Sequence, residues 1–143
     1  MASTWFTNGA RSLATGKFDF SVNTLKVLLV SSIPTETNLD SWVNRSDVTN
    51  EITGTGYTAA GIAQAFTFPA VDTTNNRQAI TLTNIVNGWT AATFSAVGAI
   101  IYKNSGVAAT DTLMEFIDFG GTVSCSSGNF SITYSSDAQI NRV

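Results

Sequence analysis

The chain has 143 residues, a normal hydrophobic share of 43% and a charged share of only 12%, with a formal net charge of −3 and no histidine. A domain of that size buries about two-thirds of its unfolded surface in one core without staples, and the lone Cys125 cannot form an internal disulfide. The missing histidines exclude the common catalytic triads and zinc sites, and seven scattered Lys and Arg residues offer nucleic acid no basic surface.

The opening residues Ser3 to Gly16 place Trp5, Phe6, Gly9, Leu13 and Ala14 near helical spacing. They predict a short amphipathic helix with Ser3 or Thr4 as cap and Gly16 as stop. Gly9 weakens such a helix by roughly 1 kcal/mol relative to Ala, so it depends on being covered by the sheet. No basic segment leads into a long apolar one here, so neither a signal peptide nor a membrane span is expected. The pattern Leu-Lys-Val-Leu-Leu-Val-Ser over residues 25–31 predicts a strand buried on most of its length, and Pro34 ends it. Residues 35–55 read as a long polar excursion with one helical turn pinned by Trp42.

From Gly61 onward the chain has the rhythm of antiparallel strands. Ile62, Gln64, Phe66 and Phe68 alternate with Ala63, Ala65 and Thr67, Pro69 punctuates, and Val71 is a candidate extension. Thr73-Thr74-Asn75-Asn76 predicts a turn, residues 79–85 the return strand of a hairpin, and Asn87-Gly88 its close. Residues 89–94 read as a bridge into a strand over 96–102 that is apolar enough to be central. Asn104-Ser105-Gly106 is the next turn. Residues 112–119 alternate, with Leu113, Glu115, Ile117 and Phe119 on one face and Met114, Phe116 and Asp118 on the other. Gly120-Gly121 is expected to break that strand, and residues 122–125 and 129–134 to form a last hairpin around Ser126-Ser127-Gly128. The whole predicts a mainly β, antiparallel sandwich or barrel-like domain, 18–143, preceded by an N-terminal helix and arm, 1–17.

Candidate chemistry is sparse. Glu115 and Asp118 stand three apart, which puts them on opposite faces of one strand. Gly54-Thr55-Gly56 ahead of Gly61 lacks the Lys-Ser/Thr that closes a phosphate loop and reads as a flexible turn. Asp19, Asp40, Asp47 and Glu51 lack the alternating oxygen donors of a calcium loop. No metal, cofactor or catalytic residue is therefore expected, and Cys125 reads as a small strand residue. The aromatics Trp5, Phe6, Trp42, Tyr57 and Trp89 serve either a core or a contact surface, and Asn104 heads a loop suited to contact.

The order of these segments resembles a family of small structural proteins of tailed bacteriophages. The resemblance is carried by the opening helix ending in a glycine, by Phe18-Asp19-Phe20, and by Thr24-Leu25-Lys26-Val27-Leu28-Leu29-Val30-Ser31-Ser32. Glu51-Ile52-Thr53-Gly54-Thr55-Gly56-Tyr57-Thr58-Ala59-Ala60-Gly61, Val97-Gly98-Ala99-Ile100-Ile101-Tyr102-Lys103-Asn104-Ser105-Gly106 and Ile117-Asp118-Phe119-Gly120 complete it. It covers most of the chain but consists of strand and turn signatures. It implies a virion component without enzymatic activity, assembled in the host cytoplasm: a capsid decoration (cement) protein on the outer head surface. The implied partners are the major capsid protein and further copies of itself as dimer or trimer, with no nucleic acid and no membrane. A receptor- or carbohydrate-binding module of a tail fibre or baseplate is the alternative. Trp5, Phe6, Trp42, Tyr57, Trp89 and Asn104 are the expected contact residues.

Overall fold

A computed structural model describes residues 2–68, 70–74, 77–134 and 138–141. The chain runs β1 (Ala2–Trp5), α1 (Thr7–Ala14), β2 (Thr24–Val30), α2 (Glu36–Ser41), a 3-10 turn (Arg45–Asp47), β3 (Ile62–Gln64), β4 (Phe66–Thr67), β5 (Arg77–Leu82), β6 (Ile85–Asn104), β7 (Leu113–Ile132) and β8 (Ala138–Asn141). Every ladder is antiparallel. β1-β7-β6-β2-β3 form a five-stranded open sheet, and β4-β5-β8 form a second sheet of three strands. The mainly β, sandwich-like architecture expected from the sequence is present.

The larger sheet is covered on both faces, as the apolar runs of β2 and upper β6 require. One face carries Leu25, Val27, Leu29, Ile101 and Ile117, which share a core with Ile80 and Leu82 of the smaller sheet. The other carries Leu28, Val30, Ile100, Tyr102 and Phe116 and packs on Phe6, Leu39 and Trp42 from the helical segments. The 35–55 excursion has the helical turn predicted for it, α2, and a second, 3-10 turn at Arg45–Asp47. Thr35 caps α2, its hydroxyl accepting from the Asn38 N–H while the Asn38 side chain accepts from the Thr35 N–H at 2.9 Å. Trp42 then stacks on Phe6 with ring centroids 6.4 Å apart.

The N-terminus departs from the expected helix. Ser3 and Thr4 belong to β1, which pairs with residues 115–118 of β7, and α1 starts only at Thr7 with Phe6 in the cap position. Of the expected arm and helix over 1–17, the described residues from Ala2 on therefore open as a strand of the sheet and not as an arm. Adjacent bulky residues explain it: a strand puts Trp5 and Phe6 on opposite faces, where each joins a different core. Gly9 has a positive reason to be there. A Cβ at that position would lie 2.8 Å from the Leu113 and Met114 carbonyl oxygens, so glycine lets α1 lie flat on β7.

The segment read as one strand from Gly61 is split at Ala65 between the two sheets: β3 pairs with β2 and β4 with β5. Gln64, 3% exposed, satisfies the backbone at this crossing by donating from Nε2 to the Ala65 and Thr83 carbonyls. Val71 lies outside the strands. Of the predicted 73–76 turn, Thr73 and Thr74 form a turn, while Asn75 and Asn76 lie outside the described residues.

The largest difference lies in β6 and β7, each 20 residues long and paired as one ribbon. The turns expected at Asn87-Gly88 and Ser126-Ser127-Gly128 and the break expected at Gly120-Gly121 are all irregularities inside this ribbon. Between the pairs Ala96–Val123 and Gly98–Asp118 the register advances two residues on β6 and five on β7, so Gly120 and Gly121 bulge outward. Asn87 and Ser127, at φ 52° and 49°, mark further shifts. A smaller shift between the Ile101–Glu115 and Tyr102–Leu113 pairs turns Leu113 onto the face of Phe116 and away from Glu115 and Ile117, against the expected alternation.

Candidate interaction surface

The four carboxylates weighed as calcium donors, Asp19, Asp40, Asp47 and Glu51, are each engaged by the fold. Asp40 Oδ1 accepts from the Thr7 hydroxyl at 2.7 Å, and Asp47 Oδ2 from the Val43 and Asn44 N–H groups at 2.9 Å each. Asp19 accepts from Ser21 backbone and hydroxyl, which lowers its carboxyl pKa. Glu51 Oε1 takes the Ala60 N–H at 2.6 Å and the Tyr57 hydroxyl at 2.9 Å, and that hydroxyl accepts from Leu29 N–H. Burial drives the Tyr57 pKa far up, despite the Leu29 bond. The glycine turn 54–61 is thereby clamped onto β2: a Cβ on Gly61, at φ 68°, would sit 1.8 Å from the Val27 carbonyl oxygen. It cradles the sheet, with no room for a phosphate. Among the described residues no group of three His, Cys, Asp or Glu side chains could hold a metal.

Two buried carboxylates have opposite fates. Asp111, 1% exposed, takes Arg45 Nε on Oδ2 at 2.8 Å, while Oδ1 takes the Ser105 N–H at 2.7 Å and its hydroxyl at 2.9 Å. Burial pushes its pKa up, but the Arg45 and Ser105 bonds outweigh burial and hold it below the usual carboxylate value. Arg45 also lies 5.7 Å from the Tyr102 ring centroid, and burial raises that phenol to about 12. The loop after Asn104 is therefore rigidly built, and it presents Val107, 58% exposed. Glu115, 2% exposed, has only the Ser3 hydrogen bond against its desolvation, which raises its pKa. Asp118, three residues on, accepts from the Gly120 N–H at 2.7 Å. The two carboxylates form no acid-base pair.

The expected contact residues divide by burial. Phe6, Trp42 and Trp89 are 0%, 9% and 1% exposed, so they have no surface to offer a partner. Trp89 anchors a ring cluster with Tyr57, Phe94 and Phe130. Trp5 and Tyr57 are half-buried against the same core, and Asn104 is half-exposed at the end of β6. The core reading of these aromatics, weighed from the sequence beside the contact reading, describes the three buried ones.

What the sequence reading missed is the surface of the ribbon. Residues 85–102 and 119–132 contain no charged side chain. Trp89, Ala92, Phe94, Phe130 and Ile132 bury one side, while Thr90, Thr93, Ser95, Ser124, Ser126, Asn129 and Ser131 are exposed. The Ser95 and Ser124 hydroxyls bond each other at 2.7 Å, and Thr93 Oγ1 accepts the Ser127 N–H at 2.9 Å. β1 covers β7 only as far as Asp118, and among the described residues no strand pairs with the outer edge of 119–132. The signal in the sequence was a Ser- and Thr-rich stretch without charge, hidden by the turn-like glycines within it.

A cavity of about 370 Å³ beside α1 is lined by Asn8, Arg11, Ser12, Thr15, Lys17 and Val43. Ser12 and Lys17 share it, but they are joined only through the backbone, Lys17 N–H donating to the Ser12 carbonyl at 2.8 Å, and the Lys17 side chain is exposed. A Ser-Lys nucleophile needs a desolvated lysine in contact with the hydroxyl, so this cavity is not a catalytic dyad. No helix among the described residues is long and apolar enough to cross a membrane. No protein-family model, curated protein or solved structure matches this chain.

Proposed function

We propose that this chain is a structural protein of a tailed-phage virion, with no enzymatic activity, that decorates the outer capsid lattice and stabilises the head. The observation that carries this reading is the β6–β7 ribbon: 20-residue strands whose surface over residues 85–102 and 119–132 is free of charge and rich in hydroxyls, with a partly unpaired edge. A cement protein adds contact area across neighbouring subunits, and small hydroxyl side chains allow close, wet contacts without charge repulsion. Modest single contacts suffice when many copies sit at fixed spacing. The carboxylates committed to backbone groups, and the absence of any histidine, leave little for a reaction to use. The partners in this reading are the major capsid protein and other copies of the chain, on the capsid surface.

A tail-fibre or baseplate receptor module would need Trp or Tyr displayed on a shallow face, whereas Trp42, Trp89 and Tyr102 are buried and Trp5, Tyr57 and Tyr134 are half-buried. The deciding experiment is quantitative mass spectrometry of particles purified from cells that make this chain, counted against the major capsid protein. The expected result is a one-to-one ratio or a simple fraction of it. A few copies per particle would favour the tail role, and particles without the chain would end the virion reading.

A further inference from the structure

We infer that the open edge of β7 over residues 122–126 is a self-association site, where a second copy of this chain adds its own β7 antiparallel about a two-fold axis. Strand edges that must stay single are guarded by Lys, by Pro, or by a covering element. From Phe119 to Ile132 the sequence Phe-Gly-Gly-Thr-Val-Ser-Cys-Ser-Ser-Gly-Asn-Phe-Ser-Ile has neither Lys nor Pro nor any charge, and among the described residues nothing covers its outer side.

The geometry selects the segment. Val123, Ser124 and Cys125 pair with Ala96, Ser95 and Phe94 in unbroken register, and bulges at Gly120-Gly121 and Ser127 bracket this stretch. Those bulges twist the flanks away and leave Thr122 to Ser126 as the straight edge. Two-fold pairing centred on Ser124 sets Thr122 opposite Ser126 and Val123 opposite Cys125 of the other copy, so every cross-strand pair is small and neutral. Val123, 42% exposed, gains cover.

The occupant follows from the self-complementary register. Each copy carries −3, so a second copy is accepted only where no like charges meet, and the two-fold register of this uncharged stretch sets its own small, neutral residues against each other. Five residues per copy make a small contact, so the dimer exchanges with monomer and grows with concentration. The inference concerns the chain alone and stands apart from the virion reading: it can fail while the particle count succeeds, and the reverse.

The test is sedimentation velocity of the purified chain over a concentration series, with Ser124→Asp and Ser124→Thr variants. Ser124 is exposed, so both variants are expected to keep the wild-type circular dichroism and melting curve. The wild-type and S124T chains should show a dimer that grows with concentration. In S124D like charges meet at the two-fold axis and weaken association by roughly tenfold, with partial recovery in high salt. Should S124D unfold, Ser124→Lys replaces it with the same expectation, because like charges again meet at the axis. A wild-type chain that stays monomeric at its highest soluble concentration overturns the inference, and so does a charged variant that dimerises as well as wild type.

Discussion

Replacing Asp111 by Ala deletes one carboxylate that holds two loops together. Three hydrogen bonds go with it: from Arg45 Nε at 2.8 Å, Ser105 N–H at 2.7 Å and Ser105 hydroxyl at 2.9 Å. Removing one partner of a buried ion pair costs about 3–5 kcal/mol, because the other charge is left without its counter-ion. Here the Arg45 side chain is 21% exposed and Ser105 is exposed, so water takes over part of the lost bonding. The lower end, about 3 kcal/mol, is expected. For a chain of this length that is a fall in melting temperature of about 10 °C. Urea unfolding at neutral pH should show a lower midpoint with an unchanged slope. In an Arg45→Ala background the same substitution should cost at least about 1 kcal/mol less, because the pair is already broken. The pH dependence supplies a further check. Asp111 titrates below its usual value in the folded chain, so its contribution is present above the unfolded-state pKa and is lost as pH falls through the folded value. The gap between wild type and D111A should therefore narrow in strong acid. A cost under about 1 kcal/mol at neutral pH would refute the account of this loop as ion-pair-built.

Gly61→Ala places a Cβ 1.8 Å from the Val27 carbonyl oxygen at φ 68°. Backbone cannot yield there, so a loss of about 3 kcal/mol or more is expected in urea unfolding; Gly16→Ala, at φ 75° with open space around it, should cost only about 1 kcal/mol. Equal costs at the two positions would show that the 54–61 turn is not clamped to β2. Glu115→Gln tests the other buried carboxylate. Its pKa is raised in the folded chain, so stability falls as pH rises from the unfolded value through the folded one. The Gln variant can still accept from Ser3 and should melt higher than wild type at neutral pH and equal to it in acid. Trp89→Ala should lower stability by about 3–5 kcal/mol, since the ring is 1% exposed within an aromatic cluster. A variant of unchanged stability would return Trp89 to the list of surface candidates.

The class of the fold was legible because it is written in local patterns. Alternation at Ile62, Gln64 and Phe66, the apolar run of β2, and the missing histidines are all properties of short windows. The placement of breaks was not legible. Gly120-Gly121 and Ser127 adopt positive φ, and a bulge and a hairpin turn ask the same of the backbone. Which of the two results depends on whether a partner strand continues alongside, and here β6, 31 residues away between Phe94 and Cys125, does continue. The same holds for the aromatics: a buried Trp89 and an exposed one have the same sequence neighbours, and only the second sheet and the 54–57 turn folded against it decide. The sequence by itself determined that this is a sparsely charged, strand-rich domain without histidine. Tertiary structure alone decided that its longest strands form one ribbon with an open edge, because pairing register and burial are set by residues far apart in the chain.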